Sequence, residues 1–346
     1  MAGNALAVRQ ALVRAGIAVT ALLAAVSTLY LLGTFLEAHG PGPLGALGEV
    51  LASTLVTLGY AAGLLAGTDV LQFRFVWNSL ATGVLIGVVG PLVGTYVVHR
   101  EMALIGETLA HTAFAGVAFG LFFAASTGWS APVLLPALVA GVLGAFAVQW
   151  LTEHTDAYGD VPIAIMLTGS FALGTIVISV GGGFSGLNIE SYLFGNVGFV
   201  TPDGAWLMGA LSAIVVAVVA ARHKQLLFIT FDEQAARVAQ IDVGRHNTLL
   251  IVLTALVVVG AMQVLGIVLV AALLVVPVAA AAQVAANFRE SLFLGVLFGE
   301  VSVILGMIAA FALNSPAGGT IVMIAIAIYV LAVAATSGGS AAISTH

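Results

Sequence analysis

Glu107 and His111 are the residues whose types and spacing most directly suggest chemistry. They lie four apart inside an apolar stretch, so on a helix both project from one face within reach of each other. A carboxylate oxygen and an imidazole nitrogen on one face supply half of a coordination shell for zinc, manganese or ferrous iron. The same two groups can also satisfy each other and simply pack a helix interface, and spacing does not choose between these readings. Glu300 stands in a second apolar stretch without an obvious local partner. It can complete a metal site, serve a proton path or line a polar crevice. Glu153, His154, Asp156 and Asp160 cluster at the mouth of a third stretch, as a way-station for a cation or as a solvated acidic loop.

Two reaction classes meet obstacles. Gly183, Phe184, Ser185 and Gly186 match the short pattern of intramembrane serine proteases, but such a serine needs a histidine on a later helix. The later histidines, His223, His246 and His346, fall at the ends of apolar stretches or in the tail. ATP hydrolysis needs a glycine-rich turn followed by lysine and a hydroxyl residue. The sole lysine, Lys224, sits between His223 and Gln225, so this chain cannot hydrolyse ATP alone. With no cysteine, thiolate ligands and disulfides are excluded, and metal chemistry falls to histidine and carboxylate.

The elements that hold these residues must be membrane helices. Of 346 residues 61% are hydrophobic and 7% charged, which leaves too little polar surface to face water. The apolar runs reach about 20 residues, enough for a helix to cross a bilayer. They are continuous rather than alternating, which excludes a β-barrel. A net charge of −6 offers no basic footprint for nucleic acid. Ten spans are expected, near residues 16–36, 76–98, 103–124, 131–152, 161–183, 203–222, 246–263, 265–284, 290–312 and 317–336. The first follows Arg9 and Arg14 but is too long for a signal peptide.

Residues 44–66 are a further apolar run, glycine-rich and carrying Glu49. If this run stays on the outer face without crossing, Arg9, Arg14, Arg100, Arg222, Lys224, Arg237, Arg245 and Arg289 all face the cytoplasm and only Arg74 lies outside. The bias of Lys and Arg toward the cytoplasm favours that arrangement, with both termini inside. Residues 184–202 are expected outside, as a short surface helix. Residues 231–241 are expected inside as a short amphipathic helix, with a solvated loop as the alternative. Glycines four apart, at Gly83 and Gly87, Gly90 and Gly94, Gly116 and Gly120, and Gly295 and Gly299, allow close helix packing.

Taken together and in order, the motifs resemble a known family. These are Gly94, Arg100, Gly106, Glu107, His111 and Gly116; then Asp160; then Leu193, Phe194 and Gly195; then Phe231, Asp232, Ala236 and Arg237; then 266–282 with Pro277; then Pro316, Ala317 and Gly318. The sequence is similar over residues 75–333 to the permease subunits of zinc, manganese and iron ABC importers. Three departures stand out: Glu107 where aspartate is commoner, Gln240 where glycine is frequent, and Val278 where alanine follows the proline.

The resemblance implies an all-α, polytopic transmembrane bundle of the vitamin B12 and siderophore permease architecture. It implies an N-terminal extension over 1–70, with one transmembrane helix and the ambiguous run, followed by a permease domain over 71–346. It implies a multi-pass protein of the cell membrane that imports a divalent transition metal by alternating access. The partners implied are a second permease copy, two ATPase subunits inside and an extracytoplasmic metal-binding protein outside. No cofactor is held permanently; the metal is cargo. Glu107 and His111 become pathway ligands, with Glu300 and Asp160 as further metal candidates. Phe231, Asp232, Ala235, Ala236, Arg237 and Val238 become the ATPase-coupling segment, with Asp232 expected to cap its helix. A secondary cation transporter using Glu300 as proton relay is the alternative, and an intramembrane protease a more distant one.

Overall fold

The computed structural model describes residues 2–65, 67, 69–128, 134–154, 161–181, 200–313 and 315–341. Within them twelve α-helices follow one another and no strand occurs. They are α1 (Ala2–His39), α2 (Pro43–Leu65), α3 (Arg74–His99), α4 (Ile105–Thr127), α5 (Leu134–His154), α6 (Val161–Val180), α7 (Pro202–Phe231), α8 (Glu233–Val238), α9 (Val243–Leu265), α10 (Ile267–Val284), α11 (Phe288–Leu313) and α12 (Ala317–Ala341). A lipid-facing backbone has no water to bond, so helices that satisfy every N–H and C=O internally are the required solution.

The sequence also marks where helices stop. Gly128 and Gly266 take positive φ and return their N–H groups to Ala124 and Met262, ending α4 and α9. Asp232 and Asp242 start α8 and α9 by accepting the N–H of Ala235 and Arg245.

Among the described residues ten helices are long and apolar enough to span a bilayer, the number expected, but the membership differs. Residues 265–284, expected as a span, give the 18-residue α10, whose apolar stretch is shorter than the others. The described part of the 44–66 run belongs to a full 23-residue helix, α2 (Pro43–Leu65). The expected surface helix at 184–202 lies, apart from its last residues, outside the described residues, as do 183–186 of the protease-like pattern.

The helices group into two compact units. One contains residues 1–92, 196–213 and 276–346, and so the whole of α1, α2, α11 and α12. One tight seam joins α3 to α11: a side chain at Gly299 would strike the carbonyl of Gly87 and the ring of Pro91. Apolar burial gives no driving force between helices in lipid, so this backbone approach and its van der Waals contact supply the association. Tyr30 of α1 donates to the Asn78 side chain and lies near the Arg74 carbonyl, fixing α1 on α3.

The other unit contains residues 93–195 and 214–275, and so the whole of α4, α5, α6, α8 and α9. Helix α4 is its centre, with α5, α6 and α9 packed around it. Gly116 of α4 meets Pro136, Ala137 and Ala140 of α5, while Gly174 of α6 receives the ring of Phe114. Both glycines are there because any side chain would occupy the neighbour's place.

Candidate functional site

The first turn of α4 carries Glu107, and one turn later comes His111, so the helix delivers both to one face as their spacing requires. His111 Nε2 lies 3.9 Å from Glu107 Oε1, too far for a hydrogen bond. Glu107 is 49% exposed and His111 16%, so the carboxylate reaches open space and the imidazole stands behind it. His111 Nδ1 is buried without a hydrogen-bond partner. Two ligands each about 2.1 Å from one ion stand about 3.0–3.4 Å apart, so a small rotamer adjustment brings this pair to chelating distance.

The surroundings hold the pair in place. Thr112 bonds back to the Thr108 carbonyl and shares a hydrogen bond of 3.1 Å with Ser170 of α6. Thr108 also reaches the Ile163 carbonyl, the first residues of α6. Each such bond between membrane helices is worth about 0.6 kcal/mol, enough to fix rotation when several act together. The Phe171 ring presents edge-to-face to His111 at 5.0 Å between centroids. Gly94 of α3 and Gly106 of α4 both pack on Leu274 of α10, which explains the two glycines that flank the motif. Sequence reasoning missed Ser170 and Phe171, because their meeting with α4 depends on helix rotation rather than on spacing along the chain.

Glu300 is fully buried in α11, and both its oxygens lack a hydrogen-bond partner. Its backbone lies against Gly87, and the Thr20 hydroxyl of α1 reaches toward it without meeting hydrogen-bond geometry and is itself unpaired. Asp156 and Asp160 lie outside the described residues, while His154 stacks on Trp150 at the end of α5. Among the described residues no group of three or more His, Asp or Glu is placed to hold one ion.

The segment at 231–241 is not one continuous helix. Phe231 ends α7, Asp232 is extended, and α8 runs only from Glu233 to Val238. The break has a physical cause: Asp232 Oδ1 accepts the Ala235 N–H at 2.8 Å, which requires a non-helical cap. The cap expected from sequence is therefore present. Ala236, rather than Ala235, turns inward against Ile229, Ile241 and Val243. Phe231 and Val238 remain 64% and 85% exposed. Arg237 pairs with Glu233 at 2.7 Å across one turn.

Gln240 has φ +58° and ends the α8 turn in the left-handed region, with Ile241 N–H bonding the Ala236 carbonyl. The turn suited to glycine is thus kept by a residue for which it is strained. Glu101 repeats the arrangement at the end of α3, with φ +58° and Met102 N–H on the Val97 carbonyl.

Beside α8 a polar cleft of about 310 Å3 is lined by His99, Arg100, Glu101, Phe231, Glu233 and neighbouring residues. Arg100 bonds the Asn247 side chain there. Burial lowers the Arg100 pKa from its ordinary value while Glu233 opposes that, and from so high a starting point the guanidinium keeps its charge. Tyr96 and His223 share a hydrogen bond of 2.6 Å and tie the C-terminal part of α3 to α7.

Comparison with known proteins identifies the family. The sequence model of the ABC 3 transport family matches residues 72–336. A probable metal transport system membrane protein of Treponema pallidum is 31% identical over 271 residues, covering 78% of this chain and 99% of the relative. The manganese transport system membrane protein MntC of Halalkalibacterium halodurans is 30% identical, covering 76% and 88%. Among solved structures, PsaBC from Streptococcus pneumoniae in complex with Fab superposes with a TM-score of 0.68 at 29% identity, covering 80% and 95%. An inward-facing putative metal-chelate type ABC transporter gives a TM-score of 0.59 at 16% identity, which supports the fold alone. Permeases of this kind pair with a separate ATPase and a substrate-binding protein, so the secondary-transporter and protease readings fall away. The chain belongs to the ABC 3 transport family and is the multi-pass, membrane-spanning permease of an ATP-driven importer of a divalent metal.

Proposed function

We propose that this permease carries manganese, or a divalent ion of similar ligand preference, and that Glu107 and His111 hold the ion in transit. The observation that carries the reading is the α4 pair itself: a partly open carboxylate and an imidazole on one face, 3.9 Å apart and not bonded to each other. Oxygen and nitrogen donors suit manganese, ferrous iron and zinc alike, and the names of the manganese-transport relatives favour the first.

A pair is half a shell, so the remaining ligands must come from water or from a second copy of the chain. A homodimer around one pathway, with two ATPase subunits inside and a metal-delivering protein outside, supplies that second half. Glu300 and Asp160 enter as further candidate carboxylates. Glu107 takes precedence because its oxygens reach open space, whereas those of Glu300 must first be uncovered. The exposed Phe231 and Val238 flanking α8 are the anchors offered to the ATPase, with Ala235 between them and Ala236 holding the helix to the permease. Residues 1–70 form an N-terminal extension to the permease domain of 71–346.

The test is metal uptake by His111→Ala in proteoliposomes that contain the ATPase. Loss of uptake with intact co-purification of the ATPase is expected, and full uptake overturns the assignment. A ligating imidazole must be neutral, so wild-type uptake falls once the pH is low enough to protonate His111.

A further inference from the structure

Helix α2 has the length and composition of a span, yet its contacts tie both of its ends to one level of the bundle. Arg74, the first residue of α3, grips both Glu37 oxygens at 2.8 Å, which sets the end of α1 beside the start of α3. Near the start of α2, Gly48 packs on the backbone of Gly33 and Glu37, at that level. Toward its end, Gly59 abuts the Trp77 ring, and Ala62 and Gly63 share a cleft with Val76 and Leu80. From Gly48 to Gly63 the helix advances about 22 Å, whereas from Arg74 to Leu80 α3 descends only about 9 Å. Helix α2 therefore runs mostly sideways, and a crossing needs about 30 Å.

The level is the outer one. The opposite end of α3 bonds to His223 and, through Arg100, to Asn247, in the stretch that carries Arg222, Lys224, Arg237 and Arg245. Such a concentration of positive charge stays in the cytoplasm.

Between α2, α3 and α11 lies a cleft of about 550 Å3, in the range of small-ligand sites, and every residue that lines it is apolar. Its lining includes Ala62 of α2, Leu80 of α3 and the buried Met307 of α11. At its edge Ile308 and Phe311 are exposed, as are Leu58 and Leu64 of α2, so the cleft is continuous with the lipid-facing surface. It sits within the first seven residues of α3, at the depth of outer-leaflet acyl chains.

We propose that α2 is an outer-leaflet helix that does not cross the membrane, and that with α3 and α11 it holds an acyl chain of an outer-leaflet phospholipid. This proposal is independent of the metal assignment. Because the chain has no native cysteine, Pro41→Cys and Asp69→Cys report the two ends of α2 directly. Both are expected to react with an impermeant maleimide from outside in intact cells; reaction from opposite faces overturns the topology.

For the lipid, the full chain in nanodiscs with a phospholipid bearing a diazirine midway along its acyl chain is expected to crosslink to α11 near Met307. Ala62→Trp, and independently Ala312→Phe from the facing wall, are expected to abolish that crosslink while leaving the cysteine pattern unchanged. No wild-type crosslink, a crosslink indifferent to both substitutions, or capture of a second copy of the chain in place of lipid each overturns the acyl-chain site.

Discussion

Two carboxylates inside membrane helices meet opposite surroundings in this molecule. Glu107 stands at the mouth of α4 half exposed, with an imidazole behind it, while Glu300 is closed in on α11 by glycine-tight packing and an unbonded threonine. Both are short of partners, but the cost differs. An exposed carboxylate keeps water until an ion replaces it, whereas a closed one forgoes solvation worth several kcal/mol. The contrast extends to the units that hold them. In the unit of Glu107 the apolar side chains of Phe231 and Val238 stay exposed, while in the unit of Glu300 Tyr30 bonds Asn78 and Arg74 bonds Glu37. Unmet bonding capacity marks a site of exchange only when it can be reached.

The sharpest way to break this contrast is to neutralise each acid without changing its shape. Glu107→Gln is expected to reduce metal uptake by an order of magnitude or more, since an amide is a far poorer ligand for a divalent ion. Glu300→Gln is expected to preserve uptake and raise thermal stability, because it removes a buried ionisable group without a partner. Equal loss of uptake in both variants would place Glu300 on the pathway and end the distinction.

Next in size is Ala235→Glu, which sets a charge between the exposed Phe231 and Val238. Co-purification of the ATPase and uptake should both fall, with metal binding at Glu107 and His111 untouched; retention of both would make α8 a solvated turn. In the closed unit, Tyr30→Phe strips Asn78 of its donor and is expected to cost about 1–2 kcal/mol, read as a lower melting temperature with unchanged uptake. The smallest effect belongs to Gln240→Gly, which relieves a left-handed residue and is expected to stabilise by about 1 kcal/mol. A lower melting temperature there would show that the Gln240 side chain contributes more than its strain costs.

What could be read from the sequence follows from which forces are local. The i, i+4 spacing of Glu107 and His111, the capping role of Asp232 and the glycines beside Leu274 all rest on short-range geometry or on motif order, and each has its counterpart in the fold. The path of α2 was harder to read, because an apolar run of that length satisfies a transverse and a sideways helix equally. The contacts that bear on it, Gly48 with Gly33 and Gly59 with Trp77, join residues well apart in the chain. The inward turn of Ala236 was also hidden, since the extended Asp232 shifts the helical phase after Phe231. Gln240 was visible as a departure from glycine, but that the turn would keep its left-handed form required the bond from Ile241 to Ala236.

One detail of the α4 pair bears on how long an ion stays. Metal-ligating histidines usually donate their second ring nitrogen to a carboxylate or carbonyl, which fixes the tautomer and raises basicity, and losing that support typically weakens binding about 10–100-fold. His111 Nδ1 has no such acceptor among the described residues. If Nε2 takes the metal, the proton on Nδ1 has no acceptor and the imidazole remains a weaker donor. A storage site would suffer from this arrangement. A site that must release its ion at every turnover gains from it, because a high dissociation rate is then built into the ligand itself rather than left for ATP to impose.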